Sequence, residues 1–291
     1  MFILTLIAAD RLSRGDISMA EDALRAAGAE PAGWSWIDEG KAADLRLPAA
    51  PPPRLLEGLI AGTDAILQPE AQRRRRLLVA DMDSTMITVE CIDELADYAG
   101  VRAEIAAITE RAMQGELDFA GALKERVALL EGLDEGAIRR CLDEKVGVTP
   151  GAIPLVRTMK REGAGTVLVS GGFTAFAGEV ARRIGFDAAV ANELQVENGR
   201  LTGVVGPAIV GARGKRDALV DAAALAGVPM EETLAVGDGA NDIPMLEAAG
   251  LGVAYRAKPA VAAAAGARIE HNDLTALLYA QGYKRAEWEA D

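Results

Sequence analysis

The chain of 291 residues is poor in the side chains that build sulfur- or nitrogen-ligated centres, with 2 cysteines (Cys91 and Cys141) and 1 histidine (His271). Two cysteines supply neither a disulfide framework nor a thiolate metal site. One histidine excludes a histidine-rich zinc or iron centre, so carboxylates are left as the ligands for any metal. Long hydrophobic runs are missing as well. Half the residues are apolar, yet stretches such as Met1–Ala9 stop far short of the roughly 20 residues a membrane span needs. That stretch has no basic leader and is followed at once by Asp10 and Arg11, so no secretory signal is expected and the cytoplasm is the expected compartment. Basic charge is in deficit: 31 Lys and Arg face 44 Asp and Glu, a net −13. Such a chain disfavours nucleic acid and anionic membranes as partners. The local exception, Arg73–Arg76, directly precedes an apolar strand and reads as a solvated linker edge.

What is present divides near Pro69–Arg76. Residues 1–72 read as a small α+β domain: strand Phe2–Ile7, helix Ser18–Ala27, extended pieces at Trp34–Ile37 and Ala43–Leu47, a short helix Arg54–Ile60 and an extended piece near Ala65–Leu67. From residue 73 to 291 the pattern is of buried strands alternating with helices: Leu77–Ala80, Thr166–Val169, Ala188–Ala191, Thr233–Val236, Gly252–Ala254 and Ala267–Ile269. This predicts an α/β fold, a doubly wound parallel sheet covered on both faces. Between its first two strands, residues 91–150 hold apolar residues at helical spacing (Ile92, Leu95, Ala96, Ala99; Leu123, Val127, Leu130), enough for three or four helices where a crossover needs one, and predict a helical cap. Asn192–Pro207 alternates around Asn198-Gly199, a pair suited to a type I′ turn, and predicts a small antiparallel flap.

The chemistry-bearing residues cluster at strand ends. Leu77-Leu78-Val79-Ala80-Asp81-Met82-Asp83-Ser84-Thr85 carries an apolar strand into two carboxylates at the sheet's carboxyl edge, where open α/β sheets bind ligands. Val236-Gly237-Asp238-Gly239-Ala240-Asn241-Asp242 repeats the arrangement, with Asn241 or Asp242 able to cap a helix that Pro244 begins. A lone Asp after a strand is as readily an Asx turn. Two such clusters on adjacent strands, however, crowd at least three carboxylates together, and like charges about 4 Å apart repel by roughly 4 kcal/mol even at an effective dielectric of 20. A hard divalent cation relieves this, and magnesium fits better than calcium because no twelve-residue calcium loop is present. Val169-Ser170-Gly171-Gly172-Phe173-Thr174 reads either as a plain tight turn or as a glycine turn that aims N–H groups and a hydroxyl at an anion. Lys215 is equally open, a solvated lysine or a partner for carboxylates and phosphate.

Together these four stretches resemble the haloacid dehalogenase-like phosphatases and, within them, the phosphoserine phosphatase family. Asp81–Thr85 resembles the first motif, Ser170-Gly171-Gly172 the second, Lys215 the lysine of the third and Gly237–Asp242 the fourth, in order and spacing over residues 76–288. The resemblance implies hydrolysis of O-phospho-L-serine, the last step of serine biosynthesis, through an aspartyl phosphate on Asp81, with Asp83 as general acid and base. It implies one Mg2+ held by Asp81, the Asp83 backbone carbonyl and Asp238, with Asp242 supporting from behind. Ser170, Gly171, Gly172, Lys215 and Asn241 are implied to bind the phosphoryl group. In the cap, Glu90, Met113, Phe119 and Arg126 stand where that family holds the amino-acid part of its substrate; for Met113 and Phe119, packing of the lid is an equal reading. A phosphatase for phosphohomoserine or a phosphosugar, and a phosphate-sensing module without catalysis, are the competing functions. Residues 1–72 resemble small regulatory domains in element order alone, which leaves amino-acid binding, homodimer formation or simple covering of the core open. A chain beginning near Gln72 is expected to fold and to keep the reaction.

Overall fold

A computed structural model describes residues 1–52 and 55–290. The chain opens with β1 (Phe2–Ala8), α1 (Arg14–Ala26), β2 (Trp34–Asp38), β3 (Ala42–Leu47) and β4 (Thr63–Pro69). These strands form an antiparallel sheet in the order β2-β3-β1-β4. Helix α1 starts a turn before the expected Ser18 because Ser13 and Asp16 cap it reciprocally: Asp16 N–H donates to Ser13 Oγ at 3.1 Å and Ser13 N–H to Asp16 Oδ2 at 2.8 Å. Its Ile17, Ala20 and Leu24 are buried with Leu4, Leu6 and Leu45 of the sheet. Of the short helix expected at Arg54–Ile60, Arg54 lies outside the described residues, and residues 56–60 are turns and bends.

The second unit begins with β5 (Leu77–Asp81), followed by a tight irregular segment, Met82–Met86. Four cap helices come next, α2 (Cys91–Ala99), α3 (Arg102–Met113), α4 (Phe119–Ala128) and α5 (Gly136–Glu144), before α6 (Ala152–Arg161) returns to the core. The chain continues through β6 (Gly165–Phe173), α7 (Thr174–Ile184) and β7 (Ala188–Asn192) to the flap strands β8 (Leu194–Glu197) and β9 (Arg200–Val205). It ends with α8 (Ala212–Ala226), β10 (Thr233–Gly237), α9 (Ile243–Ala248), β11 (Leu251–Tyr255), α10 (Pro259–Ala264), β12 (Ala267–Ile269) and α11 (Ala276–Ala280). Six parallel strands form the sheet, in the order β12-β11-β10-β5-β6-β7. Along β5, Leu78 and Ala80 join one apolar cluster while Leu77 and Val79 join another, with Leu219 of α8 and Met245 of α9, so both faces are covered.

The flap turns through Asn198 (φ 52°) and Gly199 (φ 74°), both left-handed as a type I′ turn requires. It is tied to the cap by the N–H groups of Gly132 and Glu135, which donate to Leu201 O at 2.8 Å and Gly199 O at 3.0 Å. Cap and flap therefore form one continuous cover.

The arginine run departs from its expected role. Arg74 and Arg76 make surface ion pairs with Glu162 or Glu287 and with Glu232, while Arg73 and Arg75 are turned into the contact between the two units. Arg73 pairs with Asp44 at 2.6 Å and donates to Ala280 O at 2.9 Å. Arg75 donates to Gln68 Oε1 at 2.7 Å and to Glu231 O. In the same contact the buried Asp64 carboxylate of β4 accepts the successive N–H groups of Glu270, His271 and Asn272 at 2.9, 3.1 and 3.0 Å. A buried carboxylate is tolerated when satisfied in this way.

Candidate active site

The sheet register sets the site. Ala80 of β5 lies beside Val236 of β10, and Asp81 lies beside Val169 of β6, so Asp81, Asp238 and Ser170 emerge together at the carboxyl edge. One oxygen from each of Asp81, Asp238 and Asp242 lies within 4.8 Å of the others. Burial, with the charge of Asp242 next in weight, pushes the Asp81 carboxyl well up; burial likewise raises Asp238. Lys215 of α8, 1% exposed, offsets part of this charge by donating to Asp81 and, at 2.7 Å, to Asp242 Oδ1. Burial opposes the charge on Lys215, but the two carboxylates outweigh it and its pKa rises. Three carboxylates against one ammonium leave a negative, oxygen-lined cluster that fits a hard divalent cation.

Asp242 belongs to the same cluster. It is fully buried, its Oδ1 is held by Lys215, and its Oδ2 accepts the Gly239 N–H at 3.0 Å. Both of its oxygens are thus already engaged, whereas among the described residues Asp238 accepts a side-chain hydrogen bond on Oδ1 alone, from the Thr85 hydroxyl at 2.9 Å. Gly237 is glycine for lack of room, since a Cβ there would lie 2.5 Å from Asp242 Cγ. Half-buried Asn241 sits in the short turn Ala240–Asp242 that leads into α9, where Pro244 falls in the first turn.

Asp83 is fixed from two sides: Oδ1 accepts the Cys91 N–H at 2.9 Å and Oδ2 accepts the Ser170 hydroxyl at 3.0 Å. The sharp bend that puts it there needs Ser84 in left-handed backbone, φ 56°. Ser170 is fully buried and its Oγ also accepts the Gly172 N–H at 2.8 Å. The glycine pair is not the turn the sequence suggested. Strand β6 runs on through Gly171 and Gly172 to Phe173, with a shift of register against β7 after Val169. Neither glycine has positive φ; a Cβ at Gly171 would lie 2.9 Å from Phe119 Cζ, and one at Gly172 would lie 3.0 Å from Asp83 Oδ2. They are glycines for close approach.

Of the cap residues, Phe119 at the start of α4 covers Gly171 and Gly211, where a Cβ would meet its ring at 2.9 and 3.1 Å. Arg126, about two turns further along α4, is half-buried; burial lowers its pKa against the charges of Asp93 and Glu90. Glu90 precedes α2 and accepts the Ser84 hydroxyl at 2.6 Å. Although one side of Glu90 opens to solvent, the protein packed around its carboxyl and the charge of Asp83 push its pKa up to about 7. Met113 ends α3 with 65% of its surface exposed, so it is not packed into the lid. Sequence reasoning assigned no role to Asn192, which is fully buried at the end of β7: its Nδ2 donates to Gly171 O at 2.8 Å and its Oδ1 accepts the Val210 N–H at 2.7 Å. A polar residue closing an apolar strand at the reactive edge was the available signal.

A doubly wound sheet whose carboxyl edge sets a carboxylate cluster against a glycine-lined cradle, under an inserted helical cover, defines a capped α/β hydrolase scaffold. The chain belongs to the haloacid dehalogenase-like hydrolase family, which residues 78–247 match. It is 49% identical over 221 residues to a phosphoserine phosphatase of Mycobacterium tuberculosis, covering 76% of this chain but only 54% of that one; the chain spans about half of that relative's length. Among solved structures, a probable phosphoserine phosphatase of Vibrio cholerae superposes with a TM-score of 0.79 at 32% identity, over 98% of this chain and 87% of the other. A haloacid dehalogenase family hydrolase of Salmonella enterica serovar Typhi gives 0.84 at 29% identity, over 96% and 98%. No helix among the described residues is long and apolar enough to cross a membrane.

Proposed function

We propose that the chain hydrolyses O-phospho-L-serine to L-serine and phosphate, as a magnesium-dependent phosphatase of serine biosynthesis acting on a small substrate in the cytoplasm. The observation that carries this reading is the joint placement of a carboxylate and an arginine in the cover, Glu90 and Arg126, within electrostatic reach of one another above the Asp81 cluster. A zwitterionic leaving group needs an anion for its ammonium and a forked donor for its carboxylate. The relatives named as phosphoserine phosphatases support the same substrate.

Asp81 is the nucleophile. A carboxylate oxygen forms the bond to phosphorus as the ester oxygen leaves with the bonding pair, giving an aspartyl phosphate. Asp83 delivers its proton to that serine oxygen, then accepts one from the water that cleaves the acyl phosphate. Its bonds from Cys91 N–H and the Ser170 hydroxyl keep it aimed through both steps. Lys215, the Ser170 hydroxyl, the Gly171-Gly172 stretch and Asn241 offset and orient the phosphoryl oxygens. Asp81, the Asp83 carbonyl and Asp238 would hold Mg2+, which when bound would supply charge neutralisation and orientation of the phosphoryl group. Phe119, closing on Gly171, limits water in the site. Met113, exposed here, contacts substrate only when the cover is drawn further in.

The test separates two basic residues. The contact of Arg126 exists only when the leaving group bears a carboxylate, whereas Lys215 serves every ester. Arg126→Ala is expected to lower kcat/KM for phosphoserine roughly 30-fold or more and to leave a simple aryl phosphate nearly unchanged; Lys215→Ala is expected to damage both. Equal proportional losses on the two substrates in the Arg126 variant would remove the support for phosphoserine.

A further inference from the structure

Three parts of the chain meet at a second concavity of about 400 Å³, lined by Ala9 and Lys41 of the amino-terminal unit, Pro150 at the return from the cap, and Arg256, His271, Asn272, Asp273, Thr275, Tyr279 and Arg285 of the core. In a chain of net charge −13, this lining is basic: Lys41, Arg256 and Arg285 against Asp273 alone. Among the described residues, no ion pair joins any of those three cations to a carboxylate. Asp273 has its Oδ1 taken internally by the Thr275 N–H at 2.9 Å and by the Thr275 hydroxyl. Tyr279 is likewise spent, donating to Asp38 at 2.5 Å.

The cations are set in place by the fold. Lys41 Nζ donates to Ala9 O at 2.8 Å and Asn272 Oδ1 at 2.9 Å, which leaves one proton free. Arg256 directly follows β11 with φ 46°, a left-handed backbone that is costly for a residue with a Cβ, and is pinned there by its own N–H donating to Ile269 O at 2.8 Å, while its Nη2 donates to Asn272 O at 3.4 Å. The guanidinium of Arg285 lies 4.4 Å above the Trp288 ring. Next in the chain, the Tyr255 hydroxyl is buried and has no hydrogen-bond partner among the described residues. Cationic donors from separate elements, each with N–H groups left over after its bonds to the fold and one of them on left-handed backbone, around a cavity of small-molecule size form a receptor for anionic oxygen.

We propose that this interdomain pocket binds a small oxyanion, a phosphate or carboxylate group, gripped by Lys41, Arg256 and Arg285. The bound anion touches the amino-terminal unit, the cap return and the core together; Leu274 N–H already donates to Pro150 O at 3.2 Å along the same wall. None of the three cations belongs to the phosphatase site, so the pocket is separable from it.

The test is calorimetric titration of the full chain, with magnesium present, using inorganic phosphate and succinate as separate probes. Arg256→Ala/Arg285→Ala is compared with the unaltered chain. Saturable succinate binding that weakens about tenfold or more in the double variant identifies a carboxylate pocket. A phosphate site lost in the double variant, beside one that both proteins keep, identifies a phosphate pocket. Either result supports the proposal; the absence of any succinate or phosphate site sensitive to the two arginines overturns it. Arg285→Ala alone, which removes no hydrogen bond of the fold, gives the same comparison should the double variant melt early. Because the readout is binding, the outcome does not depend on which ester the enzyme hydrolyses.

Discussion

Glu90 carries two demands that pull its proton in opposite directions. Packed protein and the charge of Asp83 hold its pKa near 7, while an ammonium group beside it is bound only by the charged form. For a carboxylate with a raised pKa, the charged form is present above that value and lost below it, so recognition of the ammonium weakens as pH falls. kcat/KM for phosphoserine is therefore expected to fall on the acid side, through a limb near pH 7 that an aryl phosphate lacks. Glu90→Gln should remove that limb and lower phosphoserine efficiency at alkaline pH, more mildly than deletion because the amide still accepts a hydrogen bond. Identical acid limbs for both substrates would show that Glu90 does not meet the ammonium. At this scale the sequence was legible where strand ends bring carboxylates together, at Asp81, Asp83 and Asp238, while Lys215, open when read alone, joined them only through the family resemblance; all four share one cluster or its rim. Asn192 was hidden because its partners, Gly171 O and Val210 N–H, are backbone groups, which carry no residue signature.

Among the elements, the cover touches the core at one side chain of particular leverage. Phe119 at the start of α4 lies against the backbone of β6 at Gly171, so a methyl group there would have to displace an aromatic ring by several tenths of an ångström. Gly171→Ala is expected to hold the cover ajar and reduce kcat/KM for phosphoserine about tenfold or more. Phe119→Leu in the same chain should recover part of that loss, a non-additivity measurable as a double-mutant cycle. Strictly additive losses would mean that the two residues do not meet in the working enzyme. The strands, the four-helix cover and the flap were readable from period and length, and their ends shifted by a residue or two. Strand β6 ran past its reading because Ser170-Gly171-Gly172 has the composition of a turn; only the neighbours, Phe119 and Asp83 Oδ2, reveal that close approach demanded those glycines.

For the molecule as a whole, the two units share polar bonds that a sequence cannot display, since Asp64 and the N–H groups it accepts are some 206 to 208 residues apart. That contact changes the expectation for a chain beginning near Gln72. Such a chain keeps every proposed catalytic group, but it leaves the N–H groups of Glu270, His271 and Asn272 without Asp64, and the carbonyl of Ala280 without Gln68 and with Arg73 alone. It is expected to fold and to hydrolyse phosphoserine with a Tm lower by roughly 8–16 °C, at about 1 kcal/mol for each hydrogen bond lost. An unchanged Tm would show that the interface contributes nothing. The central claim, covalent hydrolysis of phosphoserine at Asp81, is met most directly by one assay. Phosphate release by the full chain is measured on O-phospho-L-serine, phosphohomoserine, a sugar phosphate and an aryl phosphate, with and without Mg2+, beside Asp81→Asn. The account predicts release that requires Mg2+, a kcat/KM for phosphoserine about 100-fold or more above the other esters, and none from the Asp81 variant. Comparable efficiency on all four esters, or rapid turnover by purified Asp81→Asn, would contradict it.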